Sequence, residues 1–229
     1  MRLKKGFTIY RFREYPVTYG LITLNLIVFL ITVIFSGGGF DIDIETLINF
    51  GASNGIYVIL GGEQWRLFTA MFLHGGAIHI LTNMLSLWFV GRAIERIIGA
   101  IPYLVIYLLS GTIGGLISIY FHNNGVGIGA SGAIFGIFGA MAGVAFADRY
   151  RFIYFEEFFK NFGVILLINI ALGVMVDAID LSAHIGGLAM GILGGYMVGR
   201  GERVLWLYVI FSITLYSILY NYLFNLFSF

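Results

Sequence analysis

The sequence predicts an all-α fold, a polytopic membrane helix bundle with a six-helix core and a seventh transmembrane helix at its carboxyl end. Three observations lead there. Of 229 residues, 59% are apolar and only 11% charged; the mean hydropathy is +0.94; and apolar runs of about 20 residues, the length that crosses hydrocarbon as a helix, recur along the chain. A soluble globular domain does not have that balance. A net charge of +1, with no basic patch interleaved with aromatics, leaves nucleic acid without a binding surface. The absence of cysteine removes disulfides, thiolate metal sites and a thiol nucleophile.

The first run, 17–36, is too long for the core of a signal peptide and lacks a small-residue cleavage site after it, so it reads as a retained span. Segment 37–77, with its glycines, Asp41, Asp43 and Glu45 among short apolar pieces, reads as a long structured loop at the interface. Spans two to five follow at 78–98, 101–121, 129–147 and 161–178. The sixth, 184–199, is short, which suits a helix that begins inside a cavity, and the seventh is 204–226. Residues 1–229 are thus expected to form one integral membrane domain, with a cytoplasmic amino-terminal segment at 1–16, a catalytic core at 17–199 and an extra helix at 204–226.

Cationic residues set the orientation. Arg2, Lys4, Lys5, Arg11 and Arg13 precede the first span, Arg92 and Arg96 end the second, Arg149, Arg151 and Lys160 follow the fourth, and Arg200 and Arg203 separate the sixth and seventh. These predict a multi-pass protein of the plasma membrane with its amino terminus in the cytoplasm. Arg66 alone falls on the other side, among Asp41, Asp43, Glu45, Glu63, Asp177 and Asp180. Spans two, four and six then all descend from outside, which gathers Ser131, His184, His79 and Asn83 into one layer of the outer leaflet, with His74 just above.

A serine becomes a nucleophile when a neighbouring base takes its proton, and histidine is the usual base. Ser131 and His184 supply that pair. Donors for a developing oxyanion are the Ser131 amide, at a helix start where amides are free, and the side chains of His79 and Asn83, four apart on one helical face. Glycines supply the close approach: at about 100° per residue, Gly187, Gly191, Gly195 and Gly199 lie within about 60° of His184. In span four the stripe of Gly132, Gly136, Gly139 and Gly143 is centred about 110° from Ser131, a less direct fit.

Taken together, Gly129-Ala130-Ser131-Gly132, His74-x4-His79-x3-Asn83, Ala183-His184-x-Gly186-Gly187 with its glycine repeat, and Trp65-Arg66 in the first loop resemble the rhomboid intramembrane serine proteases. The resemblance implies Ser131 as nucleophile, His184 as general base and later acid, and His79 and Asn83 as oxyanion donors. His74, Gly129 and Gly132 accompany them, and Phe135 matches an aromatic platform for His184, where some members carry tyrosine. It also implies a dyad without a carboxylate and small side chains at the cleaved residue. Segment Gly91-Arg92-Ala93-Ile94-Glu95-Arg96-Ile97-Ile98-Gly99 resembles a structural motif at the inner end of the second span, and a seventh helix occurs in some members.

Rival chemistries find no residues. A zinc protease motif is absent, since His74 and His79 are five apart and followed by Gly75 and Ile80; no metal or cofactor is expected. No pair of mid-span aspartates and no charged relay suited to a transporter is present. His122, Asp177 and Asp180 read as solvated loop groups. Trp65 and Arg66 fit either a membrane-interface anchor or a scaffold for the first loop.

The expected function is therefore an intramembrane serine endopeptidase, whose partners are the lipid bilayer and transmembrane segments of single-pass substrates cleaved near the outer surface. The alternative is a catalytically silent relative that binds or chaperones transmembrane helices. Span five, rich in large side chains, is the expected mobile wall, with substrate admitted between it and span two and the loop 177–183 as a lid.

Overall fold

The computed structural model describes residues 14–148 and 180–228. The fifth span expected at 161–178, its gate with span two, Asp177, and the cations at 2–13 and 149–160 lie outside the described residues. Each apolar run within them becomes a helix. Helix α1, Pro16–Phe35, starts on a proline, whose missing N–H is no loss in a first turn. Its next two amides, of Val17 and Thr18, each donate at 2.9 Å to the carboxylate of Glu95, which also accepts from the Thr18 hydroxyl at 2.7 Å. A buried acid from the second span thus caps the first helix, satisfying amides that a helix start leaves orphaned.

Segment 37–77 contains no crossing helix and folds into short pieces, as expected of a structured loop. Helix α2, Ile44–Asn49, is begun by Asp43, which accepts from the Thr46 amide at 2.8 Å, the Thr46 hydroxyl at 2.7 Å and the Ser36 hydroxyl at 2.6 Å. Those bonds, the one from Ser36 foremost, hold the Asp43 carboxyl at a pKa of about 2. Beside α3, Arg66–Thr69, the guanidinium of Arg66 gathers the loop around itself. It donates to Glu63 at 2.6 Å, to the Ile48 carbonyl at 2.7 Å and to the Ala52 carbonyl at 3.2 Å, between the rings of Tyr57 and Trp65. With 9% of its side chain exposed, Arg66 is a scaffold and not a snorkelling cation. Trp65, 51% exposed, keeps about half of its surface outward.

The second span is continuous over Ala77–Ile98, as α4 (Ala77–Ser86), a wider π-type turn at Leu87–Gly91 and α5 (Arg92–Ile98). After Gly99 come α6 (Ala100–Phe121), α7 (Ser131–Ala147), α8 (Leu181–Arg200) and α9 (Leu205–Phe227). Five of the described helices, counting Ala77–Ile98 as one, are long and apolar enough to cross a membrane, while α7 has 17 residues. The expectation of a short sixth span is overturned. It runs 20 residues because it is capped by Asp180, four positions before the expected start at His184.

Helix α7 is buried nearly all round, which demands small residues. A Cβ at Gly187, Gly191 or Gly195 of α8 would run into the carbonyl oxygens of Gly132, Gly136 and Ala140. Reciprocally, a Cβ at Gly139 or Gly143 would meet the carbonyls of Leu188 and Ile192. The two helices therefore touch backbone to backbone, which is what small-residue stripes permit.

Candidate active site

That contact brings the first turns of α7 and α8 together at one end of the bundle. Ser131 Oγ lies 2.8 Å from Nε2 of His184, 53 positions away in sequence. The imidazole is buried and lies flat on Phe135, ring centroids 4.2 Å apart and planes 9° from parallel. Phe135 is one helical turn below Ser131, so α7 supplies both the serine and the surface that orients its partner. Nδ1 of His184 has no hydrogen-bond partner among the described residues. For the serine to donate to Nε2, the ring proton must sit on Nδ1.

The offset of the glycine stripe from Ser131 now has a reason. Glycines take the centre of the α7–α8 contact, and Ser131 stands at its edge, partly exposed as the first helical residue. Its hydroxyl meets the longer imidazole side chain instead of the α8 backbone. Gly132 faces the Ala183 carbonyl from its place in the same contact.

Helix α4 brings the other candidates to the same end. A Cβ on Gly129 would stand 2.8 Å from His79 Nε2 and 3.8 Å from Ser131 Oγ, so this glycine lies between the two. Gly129 has φ +110°, a region side chains avoid, and its amide donates to the Ala70 carbonyl at 2.9 Å, tying the turn to the first loop. His74 is fully buried, its ring edge-on to His79 at 5.0 Å, with neither nitrogen hydrogen-bonded among the described residues. Asn83 is buried one turn below His79 and donates one amide hydrogen to the His79 carbonyl at 2.9 Å, leaving its second N–H for another acceptor. No group of three or more His, Asp or Glu placed to hold a metal occurs among the described residues.

Asp180 is not the solvated loop acid expected. Its Oδ1 accepts from the Ala183 amide at 3.0 Å and the Ser182 hydroxyl at 2.6 Å, and its Oδ2 from the hydroxyl of Ser118 on α6. Burial works against its ionisation, yet these bonds and the nearby His122 outweigh it and bring the carboxyl below its ordinary pKa. His122 is largely exposed, as expected, with Nδ1 3.9 Å from Asp180 Oδ1. Sequence reading missed this cluster; the signal was an aspartate directly before an apolar helical run, the ordinary mark of a helix start.

Comparison with known proteins identifies the family of the chain. A family model described as "Rhomboid domain" matches residues 61–201. The chain is 41% identical over 182 residues to "Rhomboid protease GluP" of Bacillus subtilis, covering 80% of this chain and 34% of that protein. Against "RHOMBOID-like protein 4" of Arabidopsis thaliana it is 37% identical over 153 residues, 67% of this chain and 39% of the relative. With "Putative rhomboid protease YdcA" of Bacillus subtilis it shares 32% over 199 residues, 83% of this chain and 93% of that protein. The chain therefore spans only about a third of GluP's length and nearly all of YdcA's. An integral, multi-pass helical bundle with these matches belongs to the rhomboid family.

Proposed function

We propose that the protein is an intramembrane serine endopeptidase that cleaves transmembrane helices of membrane proteins. The observation that carries this reading is the 2.8 Å approach of Ser131 Oγ to His184 Nε2, with the imidazole stacked on Phe135. His184 Nε2 takes the serine proton as Oγ attacks the scissile carbonyl, then returns it to the departing amine. The Ser131 amide at the start of α7 and the side chains of His79 and Asn83 serve the oxyanion; Gly129 keeps His79 Nε2 within reach. Water reaches the dyad from the end of the bundle at which α7 and α8 begin. That end faces the outside, the amino terminus is cytoplasmic, and residues 17–199 act as the core with 204–226 as an added helix.

Substrates are single-pass proteins whose helix opens locally, because a continuous helix holds each carbonyl in a bond to the residue four ahead. A fluorophosphonate probe on the purified protein in detergent tests the reading directly. Wild type should label covalently and cleave a model transmembrane substrate, whereas Ser131→Ala and His184→Ala should each lose both activities while keeping their melting temperature. Substantial cleavage by Ser131→Ala would overturn the serine mechanism. A folded wild type that binds helices without labelling would favour the silent helix-binding relative.

A further inference from the structure

Asp180 makes contacts that no step of the acyl transfer uses. Its two oxygens have different partners: Oδ1 accepts from Ala183 and Ser182 within the first turn of α8, while Oδ2 accepts from Ser118 on α6. The reach across is possible because Gly114, one turn from Ser118 on α6, leaves space for the Ala183 carbonyl; a Cβ there would lie 2.7 Å from it. His184 follows one turn after Asp180, its amide donating to the Asp180 carbonyl at 3.2 Å. Any shift of Asp180 therefore moves His184.

The glycine contacts below do not do this job. A carbonyl seated against a glycine sets how closely α7 and α8 approach, whereas the Ser118 bond ties the top of α8 to α6. A directional hydrogen bond at the top of α8 supplies the missing constraint. Apart from Ser131 itself, the imidazole has no hydrogen-bond partner among the described residues, and the Phe135 stack leaves in-plane movement free.

We infer that Asp180 is a positioning residue: through Ser118 it sets the height and rotation of the first turn of α8, and with them the distance from His184 Nε2 to Ser131 Oγ. The inference rests on the protease reading and concerns how that site is held. It differs from a catalytic triad because the carboxylate acts through the helix and never touches the imidazole.

The test compares Asp180→Ala, Asp180→Ser, Asp180→Asn, Ser118→Ala and the double alanine variant by fluorophosphonate labelling rate, kcat, KM and melting temperature. A displacement of about 1 Å can cost on the order of 100-fold in rate. Asp180→Ala and Ser118→Ala should each slow labelling and kcat by about 10- to 100-fold, with KM within about 2-fold. The double variant should be no slower than the worse single one, since both remove the same bond. Asn at 180 can cap the helix and meet the Ser118 hydroxyl with its amide, so it should restore the rate to within about 3-fold. Ser also caps but has one oxygen only, so Asp180→Ser should recover melting temperature and remain slow. Wild-type labelling by Ser118→Ala, or by Asp180→Ser, would overturn the inference and leave Asp180 a helix cap alone; Ser118→Ala keeps the test valid if Asp180→Ala fails to fold. A wild type that does not label would bring down the protease reading first, so the two failures are distinguishable.

Discussion

At Gly129 two demands fall on one residue: a backbone at φ +110° and a Cβ position 2.8 Å from His79 Nε2. Gly129→Ala should therefore slow probe labelling by at least about 10-fold, as a misplaced oxyanion donor does, and cost about 1–2 kcal/mol from the positive φ alone. Labelling rate and melting temperature check it, and an unaffected variant would mean that the turn relaxes freely. His79→Ala and Asn83→Ala should lower kcat by roughly 10- to 1000-fold with small effects on KM, because oxyanion donors act on the transition state. Effects confined to KM would reassign them to substrate docking. For Asp180 the sign of the pH dependence follows from its lowered pKa: the stability it confers is complete above its ordinary value of 3.8 and is lost as pH falls through its folded value. The melting-temperature gap between wild type and Asp180→Asn should accordingly be widest near neutrality and close in strong acid. At this scale the sequence was readable where the level along the helices decides position, since Ser131 and His184 meet at one end of the bundle. It was not readable where competing hydrogen bonds choose a side chain's partner. Asn83 turns one N–H to its own helix, and Asp180 finds Ser118 62 positions away.

Helix boundaries were legible because hydropathy dictates them. Expected spans at 17–36, 78–98, 101–121 and 204–226 match α1, the α4–α5 pair, α6 and α9 to within a residue. The fourth span begins two residues later than expected, at Ser131, and the sixth three residues earlier, since apolar periodicity says nothing of a polar cap that lengthens a helix. Glycine spacing likewise revealed which face of α8 presses on a neighbour, and the carbonyls it meets give that contact a sharp test. Gly191→Ala would drive a Cβ into the Gly136 carbonyl, where backbone cannot yield cheaply. It should lower the melting temperature and slow labelling, with a cost in the range of an overpacked core, about 1–3 kcal/mol. Gly20→Ala is the matched control. Nothing lies within 4 Å of its Cβ position in α1, so the better helix former should leave stability unchanged or raise it by up to about 1 kcal/mol. Equal effects at the two sites would show that α7 and α8 are not in backbone contact.

Across the whole molecule, the seventh helix joins parts that sequence reading left unconnected. Tyr208 of α9 is fully buried; a Cβ on Gly194 of α8 would lie 2.9 Å from its ring, and its hydroxyl lies 3.5 Å from that of Ser110 on α6. Two turns on, the Tyr216 hydroxyl donates to Gln64 at 2.8 Å, and that of Tyr220 to the Ile59 carbonyl at 3.3 Å. Leu223 completes an apolar cluster with Val58, Ile59, Leu67, Leu116 and Ile119. One end of α9 is thus packed into the α6–α8 contact and the other into the first loop, the same loop whose Ala70 carbonyl holds the Gly129 amide. Such a chain of contacts predicts a division of effects. Tyr208→Ala leaves a cavity between α6, α8 and α9 and should cost about 3–5 kcal/mol, read as a lowered melting temperature. The pair Tyr216→Phe with Tyr220→Phe removes only the hydrogen bonds to the loop. It should leave melting nearly unchanged while making segment 56–66 more open to limited proteolysis, because a loop held by few contacts opens locally before the bundle does. Unaltered proteolysis of that segment would show that Arg66 and its carbonyl partners hold the loop unaided, leaving α9 to stabilise the bundle through Tyr208.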